Sequence, residues 1–349
     1  MATLTLAVFH SLNMRLAEQF EWFADWCVGT SSLYEQIARG VADDPELLAL
    51  AEEIPPKRGT ANILFAAVHW HLLGGADHPL AEYYPTTSDD PKSGNPLPAF
   101  QDFCAEYETD LRPLLRNRRT QTNAVRRCTA LFPAFSHVSR TVGGDPLALV
   151  ELGPSGGLNL CWNQYAYDYG DAGTFGTSEC TLDSEIKGDK MPPVSDDFPA
   201  VISRVGIDLN PLSVRDEADV RWLRALIWPE HADRHRLLQQ AADVAERNPP
   251  DLRQGDAIEE LPNVLAEIPD DVPVCVFDTQ MRYQLPDPAQ NRLRAHIESA
   301  AQERPLHWLS GHKAADRWDN AFTLDWFDGE GYESLVAYEQ HGRWIRWLR

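Results

Sequence analysis

The sequence lacks several features that mark membrane, secreted and metal-binding proteins. No apolar run approaches the about 18 residues that a membrane-spanning helix needs, and the N-terminus has neither the basic region nor the long apolar core of a signal peptide. Its six cysteines are scattered, and no two form a Cys-x-x-Cys pair. We therefore expect buried thiols rather than zinc ligands or disulfides. The expectation is a soluble, cytoplasmic protein.

Basic residues are also scarce, because 31 Lys and Arg stand against 53 Asp and Glu and give a formal net charge of -22. A surface of this sign repels phosphate backbones and anionic lipids, so we expect no nucleic-acid or membrane partner. Few of the basic residues are lysines, and Asp is abundant. We interpret the acidity as halophilic adaptation to a salty cytoplasm, with a cation-related function as the alternative.

The 349 residues are enough for two domains, and the pattern changes near residue 144. Before that point no segment alternates like a strand, and 77–98 is a loop rich in Pro, Asp and Ser. Apolar periodicity predicts an all-α N-terminal domain, 1–144, which would cap the second domain. Its predicted helices are 4–27, 31–40, 45–53, 60–73, 97–116 and 120–132.

After Gly143-Gly-Asp-Pro146, short apolar runs alternate with helices, which predicts an α/β domain over 145–349 with a mostly parallel sheet. The segments 321–327 and 333–340 flank Asp328-Gly-Glu-Gly331 and predict a C-terminal antiparallel hairpin. An insertion at about 165–203 is expected to hold a small hairpin of its own. The predicted strands are 147–152, 204–209, 273–278, 306–310, 321–327, 333–340 and 343–348.

The stretch Leu147–Asn159 carries the strongest functional signal. An apolar run ends in Glu151, and a turn with Gly153, Ser155, Gly156 and Gly157 leads into a helix-compatible segment that opens at Leu158. The glycines would let the backbone approach a ligand, and the start of a helix would offer free N–H groups. This layout predicts a nucleotide-like cofactor, although an ordinary tight turn has the same composition.

Acids recur at the later strand ends, and such ends converge on one crevice in an open parallel sheet. These acids are Asp208, Asp256 and Asp278. An acid after the second strand can hold both ribose hydroxyls, and an acid after the third can meet an adenine amino group. Each acid alone is better explained as a helix N-cap, but the set favours a nucleoside-containing ligand.

Three motifs resemble those of class I S-adenosylmethionine-dependent methyltransferases. They are Glu151-Leu-Gly-Pro-Ser-Gly-Gly157, Gly206-Ile-Asp-Leu-Asn-Pro211 and Gly255-Asp-Ala257. The resemblance implies a Rossmann-like methyltransferase-type fold, S-adenosylmethionine as cofactor and methyl transfer to a small acceptor. In that reading the cofactor lies against Glu151, Gly153, Ser155, Gly156, Gly157, Asn159, Asp208, Asp256, Ala257 and Asp278.

Most of the chain also resembles the DUF2332 family of uncharacterised proteins, which implies the same two-part architecture. The matching pieces are Ser32-Leu-Tyr34, Asn62–His69, His78-Pro-Leu-Ala81, Arg119–Asn123, Gly157–Leu160, Tyr167–Gly170, Gly206–Leu209 and Trp222–Pro229. The sequence departs from an ordinary methyltransferase in two places. The insertion puts about fifty residues between the glycine loop and Asp208, against roughly twenty in the dinucleotide-binding pattern, and Asp278 is followed by Thr-Gln-Met-Arg-Tyr283.

The segment 118–127 holds four arginines and lies at the start of a predicted helix that ends near the domain junction. The guanidinium fork suits a carboxylate or a phosphate, so we predict substrate contacts there. Pairing with local acids is the alternative. The predicted substrate-binding residues are Arg119, Gln121, Asn123 and Arg127, with Tyr165 from the insertion.

No catalytic residue stands out, because methyl transfer needs alignment more than a base; Asp278 and Tyr283 are the candidates. A non-catalytic nucleoside-binding or effector-binding protein on the same scaffold is the alternative function. A serine hydrolase would use Ser155 with Asp278 and His312. We predict no metal site, because His69 and His71 point to different helix faces, and His231-Ala-Asp-Arg-His235 lacks the glutamate of the hydrolytic zinc motif.

Overall fold

A computed structural model describes residues 14–121, 123–314 and 321–349. These residues group into two compact units. The first contains the residues up to 121 together with Glu217–Arg236, and the second contains Asn123–Asp216 and Leu237–Arg349. The domain boundary at 144 stays a prediction. None of the helices in these three ranges has the length and apolar character to cross a membrane.

The first unit is helical throughout the part that the structure describes. It comprises α1 Leu16–Cys27, α2 Ser32–Ala42, α3 Pro45–Ala51, α4 Thr60–Leu73, a 3₁₀ turn Pro79–Tyr83, α5 Leu97–Glu106, α6 Glu108–Asn117, α8 Glu217–Ala225 and the first residues of α9 Ala232–Arg247. The all-α N-terminal region is thus confirmed. Residues 4–13 of the predicted first helix lie outside the described residues. The predicted helix 97–116 is divided in two at Tyr107.

Aromatic packing explains why the late segment 217–236 belongs to this unit. The Trp228 ring lies 5.0 Å from Trp26 and 5.7 Å from Phe23, edge-on and tilted. The Glu230 carboxylate accepts hydrogen bonds from Ser31 Oγ and from the N–H of Leu33. The segment therefore completes the core of helices that precede it by about two hundred residues.

The second unit is built on a nine-stranded sheet. Its strands are β1 Leu147–Leu152, β5 Glu185–Ile186, β6 Val201–Asp208, β7 Asp251–Gln254, β8 Val274–Asp278, β9 Leu306–Lys313, β10 Ala321–Phe327, β11 Tyr332–Glu339 and β12 Trp344–Trp347. Their order in the sheet is β5-β12-β11-β10-β9-β8-β1-β6-β7. The five strands from β9 to β7 run parallel, and β10, β11 and β12 continue from β9 as an antiparallel meander. The mixed α/β fold with a large, mostly parallel sheet is confirmed.

The two faces of this sheet carry different cores because side chains alternate along a strand. On one face Ala148, Val150 and Leu152 of β1 join an aliphatic cluster with α10 Ala257–Glu267 and α11 Asp287–Ala301. On the other face Phe277 of β8 packs on Phe135 of α7 Cys128–Thr141, with ring centroids 5.2 Å apart. Glu151 follows Val150, so it belongs to the α7 face.

Two elements differ from the sequence prediction. The helix predicted at 120–132 begins only at Cys128, after a 3₁₀ turn Val125–Arg127, so the described residues of 118–124 lie outside any helix. The insertion holds a three-stranded sheet rather than a hairpin. Its strands are β2 Ala166–Asp168, β3 Thr174–Phe175 and β4 Thr181–Asp183 in the order β3-β2-β4, with a 3₁₀ turn Gly170–Ala172.

Candidate functional site

The predicted site lies at the carboxyl edge of the sheet, where the strand order reverses. Strand β1 pairs with β6 on one side and with β8 on the other. Such a switch point opens a crevice beyond the strand ends. Glu151 lies opposite Gly206 and Phe277 in these two ladders, so the residues that follow β1, β6 and β8 gather at one edge.

The glycine loop after β1 adopts the left-handed conformation at Gly153, Ser155 and Gly157, with φ of 72°, 54° and 71°. A serine in this region is strained, and such strain concentrates at functional sites. The space beside two of the glycines is used by the protein itself: a Cβ on Gly153 would lie 2.9 Å from Met281 Cγ, and one on Gly157 would lie 2.7 Å from Pro250 Cγ.

The segment after the loop is a 3₁₀ helix, Leu158–Gln164, and not the α-helix that the sequence predicted. The loop N–H groups are partly used as well, because Gly153 donates to Ile207 and Gly157 donates to Pro154. Of the predicted free N–H groups, those of Gly153 and Gly157 are thus bonded within the chain, and a ligand contact with the others stays a prediction. The side-chain amide of Asn159 points back to Glu151.

Asp208 ties the glycine loop to the end of β6. Its Oδ2 accepts the Ser155 N–H at 2.8 Å, and its Oδ1 accepts the Asn210 N–H at 2.8 Å. The carboxylate is half-buried, and each oxygen keeps a lone pair. Sequence reasoning missed the next residue, Leu209, whose side chain is 59% exposed; an exposed leucine directly after a strand-end acid was the available signal.

Glu151 is a buried acid with half of its hydrogen-bonding capacity unused. It is 2% exposed, and its Oε1 accepts from Asn159 Nδ2 at 2.9 Å. Its Oε2 is buried and has no partner among the described residues. Burial raises the pKa of this carboxyl to about 8, and the bond from Asn159 offsets only part of that effect.

Asp278 at the end of β8 is also fully buried, but its oxygens are occupied. Oδ2 accepts from Trp308 Nε1 at 3.3 Å and Oδ1 from the Arg282 N–H at 3.4 Å. Ser310 adds a side-chain hydrogen bond. Burial raises the pKa of Asp278 to about 6, against these donors. Trp308 belongs to the α10 and α11 core, so Asp278 and Glu151 lie on opposite faces of the sheet.

The segment 123–127 crosses this edge. At one end Asn123 Nδ2 donates to Ser155 Oγ at 2.7 Å. At the other end the Arg127 side chain, 4% exposed, donates to Gln280 Oε1 at 2.6 Å and to the Gln340 carbonyl at 2.9 Å. The structure thus brings two of the predicted substrate-binding residues, Asn123 and Arg127, to the carboxyl edge.

Other predicted residues have local roles. Asp256 Oδ1 caps α10 through the N–H of Ile258 at 2.8 Å, and Ala257 begins that helix. Tyr165 is fully buried and its hydroxyl donates to the Leu158 carbonyl. Arg119 and Gln121 belong to the first unit, where the Arg119 carbonyl accepts from Trp222 Nε1. The Tyr283 ring lies 5.8 Å from Phe322.

The three members of the predicted serine hydrolase triad do not hydrogen-bond to one another. Ser155 Oγ meets Asn123, whereas His312 meets Thr323 and Asp325 on the neighbouring strand β10. Of the histidines considered as ligands, His69 bonds to the Ala225 carbonyl and to Thr86. Within 14–121, 123–314 and 321–349, no three His, Cys, Asp or Glu side chains are grouped as a metal site.

Comparison with known families supplies one result. The profile of the family described as "Uncharacterized protein conserved in bacteria (DUF2332)" matches residues 17–347. The chain belongs to the DUF2332 family. The match extends over both compact units, so the DUF2332 sequence pattern includes the helical unit as well as the sheet. Comparisons with curated proteins and with solved structures each gave no match.

Proposed function

We propose that this DUF2332 protein binds S-adenosylmethionine at the carboxyl edge of its sheet and transfers the methyl group to a small-molecule acceptor. The observation that carries the proposal is the Glu151 carboxylate, buried just before the glycine loop, whose Oε2 has no partner in the part of the chain that the structure describes. A buried carboxylate oxygen without a donor favours a ligand that brings N–H groups and positive charge. The ammonium of a methionine moiety brings both.

Two neighbouring residues support an adenosyl ligand. Asp208 is half-buried at the end of β6, two residues beyond Gly206, the β6 partner of Glu151, and has lone pairs left for ribose hydroxyls. Leu209 exposes an apolar side chain beside it, which suits the face of a purine. The Gly255 N–H donates to the Asp208 carbonyl at 2.9 Å, so Asp256 and Ala257 begin next to this position. A ligand that spans from Glu151 toward Leu209 would meet these residues in turn.

When bound, S-adenosylmethionine would supply a methyl group whose C–S bond breaks with the electron pair left on sulfur, while the acceptor atom bonds to carbon and loses a proton. The residues of this chain would hold the donor, orient it and exclude water. Asp278 already accepts from Trp308 and Arg282, so we assign it to positioning the loop after β8. Tyr283 in that loop stays a candidate for contact with the acceptor.

Non-catalytic binding of an adenosyl ligand is the second candidate. The observation that favours it is the same set of bonds to Asp278, because they leave this predicted base without a free role in proton transfer. The two candidates share the binding site and differ in whether an acceptor is methylated.

Thermal unfolding with S-adenosylmethionine and with S-adenosylhomocysteine tests the proposal. Saturating ligand should stabilise the folded chain by about 2 to 3 kcal/mol and raise Tm by a few degrees. Glu151→Gln is the matched control, since it keeps the oxygen that accepts from Asn159 and removes the charge. A folded protein whose Tm is unmoved by both ligands contradicts the proposal. Shifts with both ligands, without transfer of labelled methyl to small-molecule extract fractions, favour the binding protein.

A further inference from the structure

Two consecutive buried arginines differ in their partners. Arg126 is 7% exposed, and its Nη2 meets the carboxylate of Asp183 at 3.0 Å. Arg127 is 4% exposed, and within the described part of the chain its side chain reaches neutral groups: the Gln340 carbonyl, Gln280 Oε1 and, at 3.4 Å, Thr279 Oγ1. Among the described residues, the guanidinium of Arg127 is therefore a buried cation without an ion pair.

A guanidinium carries five N–H donors, and Arg127 uses three of them in these contacts. A buried charge without a counterion is costly. Burial lowers the pKa of Arg127, with partial compensation from surrounding groups that include Glu151, yet an arginine remains charged in proteins. The remaining donors can serve an anion in the fork geometry that suits carboxylates.

Neighbouring contacts place Arg127 beside the unpartnered acid. The Sγ of the next residue, Cys128, lies 3.6 Å from Asn159 Oδ1, and the amide nitrogen of Asn159 donates to Glu151. Arg127 also contacts Thr279, two residues beyond Phe277, which is the β8 partner of Glu151. Both charges thus lie on the α7 face at the same strand ends. Each affects the pKa of the other, but they do not form an ion pair with each other.

We propose that Arg127 binds a ligand carboxylate, and that Arg127 and Glu151 together select the zwitterionic end of an α-amino acid. A ligand with only an ammonium would meet Glu151 but be repelled by Arg127, and a simple anion would meet Arg127 but bring no N–H donor to Glu151. A zwitterion satisfies both charges at once. The inference rests on the proposed function, in which the methionine part of the cofactor provides this zwitterionic end. Arg127 is then the residue that makes the ligand carboxylate necessary for tight binding.

The test compares three ligands by calorimetric titration of the full chain. S-adenosylhomocysteine has both charged groups, decarboxylated S-adenosylhomocysteine keeps the ammonium alone, and methylthioadenosine lacks both. For the wild type we expect S-adenosylhomocysteine to bind at least about tenfold more tightly than its decarboxylated form. For Arg127→Met the ratio of these two affinities should fall to about one, and Arg127→Lys should restore part of the wild-type preference.

Arg126→Met is the matched control, because it removes the adjacent buried arginine that already has a carboxylate partner. Loss of packing alone would weaken all ligands together and leave the ratio unchanged. If the wild type binds S-adenosylhomocysteine and its decarboxylated form equally well, the inference about Arg127 is overturned while the adenosyl site stands. The same holds if Arg127→Met keeps the wild-type ratio of the two affinities. Failure of every ligand to bind the wild type would overturn the proposed function and the inference with it.

Discussion

Glu151 and Asp278 end neighbouring strands and are both buried, yet their surroundings differ. Donors from Trp308, Ser310 and Arg282 occupy the oxygens of Asp278. Within 14–121, 123–314 and 321–349, Glu151 has a single donor, Asn159, and one oxygen without a partner. The pKa values follow this difference, since burial raises the pKa of Asp278 to about 6 and the pKa of Glu151 to about 8. Burial alone therefore does not indicate a ligand site, whereas an unused acceptor beside a glycine loop does.

The largest expected effect is on ligand binding by Glu151→Gln. The substitution keeps the acceptor for Asn159 and removes the negative charge that would face an ammonium. We expect the affinity for S-adenosylhomocysteine to fall about 10- to 100-fold, the range for a charged hydrogen bond. Calorimetric titration measures it, with Glu339→Gln as a buried-acid control whose partner is the neighbouring Arg343. Unchanged affinity in Glu151→Gln would remove the distinction between the two acids.

The second expectation concerns pH. The free carboxyl has a pKa of about 8, and binding an ammonium requires its ionised form. Affinity should therefore rise by up to about tenfold per unit as pH increases toward 8, and then level off. Titrations between pH 6 and about 9 would measure the slope. Glu151→Gln should flatten it, and a wild-type affinity that is independent of pH would contradict the account.

The third expectation concerns the free energy of unfolding. Replacing the acid by its amide should lower it at Asp278 but not at Glu151. In Asp278→Asn an amide N–H₂ must face a donor, either Trp308 Nε1 or the Arg282 N–H. We expect a loss of about 1 to 3 kcal/mol in the free energy of unfolding. The pKa of Glu151 rises from an ordinary 4.5 to about 8 on folding, so the wild type loses stability progressively between these two pH values and by a constant amount above pH 8. Glu151→Gln has no such penalty and should therefore stabilise the fold relative to the wild type at pH 7 and above. Denaturant unfolding of both variants measures the contrast; equal losses would contradict it.

The smallest effect is expected from Leu209→Ser. The side chain is 59% exposed, so its removal should leave the free energy of unfolding unchanged within about 0.5 kcal/mol. Loss of an apolar contact with the adenine should weaken adenosyl ligands by roughly 1 kcal/mol, or about fivefold. Ile202→Ser, at an exposed apolar residue near the start of β6, is the control. Equal effects of the two variants would argue against a purine face at Leu209.

The sequence was sufficient for the strongly patterned elements. The limits of β1 and β10 agree with the predicted runs 147–152 and 321–327, because buried strands and tight turns have distinctive compositions. Strand β7 was missed, since Asp251-Leu-Arg-Gln254 has a single apolar residue. The place of Trp228 in the helical unit depends on contacts with Trp26 and Phe23 that no local pattern encodes.

The site shows the same limit. Acids at strand ends were visible in the sequence, but which of them has free acceptors depends on residues far away in the chain. Asp278 is held by Trp308 and Ser310, thirty residues and more beyond it. Arg127 was singled out as a binding residue. Only the fold shows that it has no acid partner among the residues the structure describes, whereas Arg126 is paired with Asp183.

Proton release on ligand binding tests the central claim most directly. At pH 7 a Glu151 carboxyl with a pKa of about 8 is mostly protonated, and it must ionise to hold an ammonium. Titration of S-adenosylhomocysteine in buffers of different ionisation enthalpy should therefore show release of close to one proton per ligand from the wild type and none from Glu151→Gln. Binding without proton release, release that persists in the variant, or no binding to the folded wild type would contradict the account.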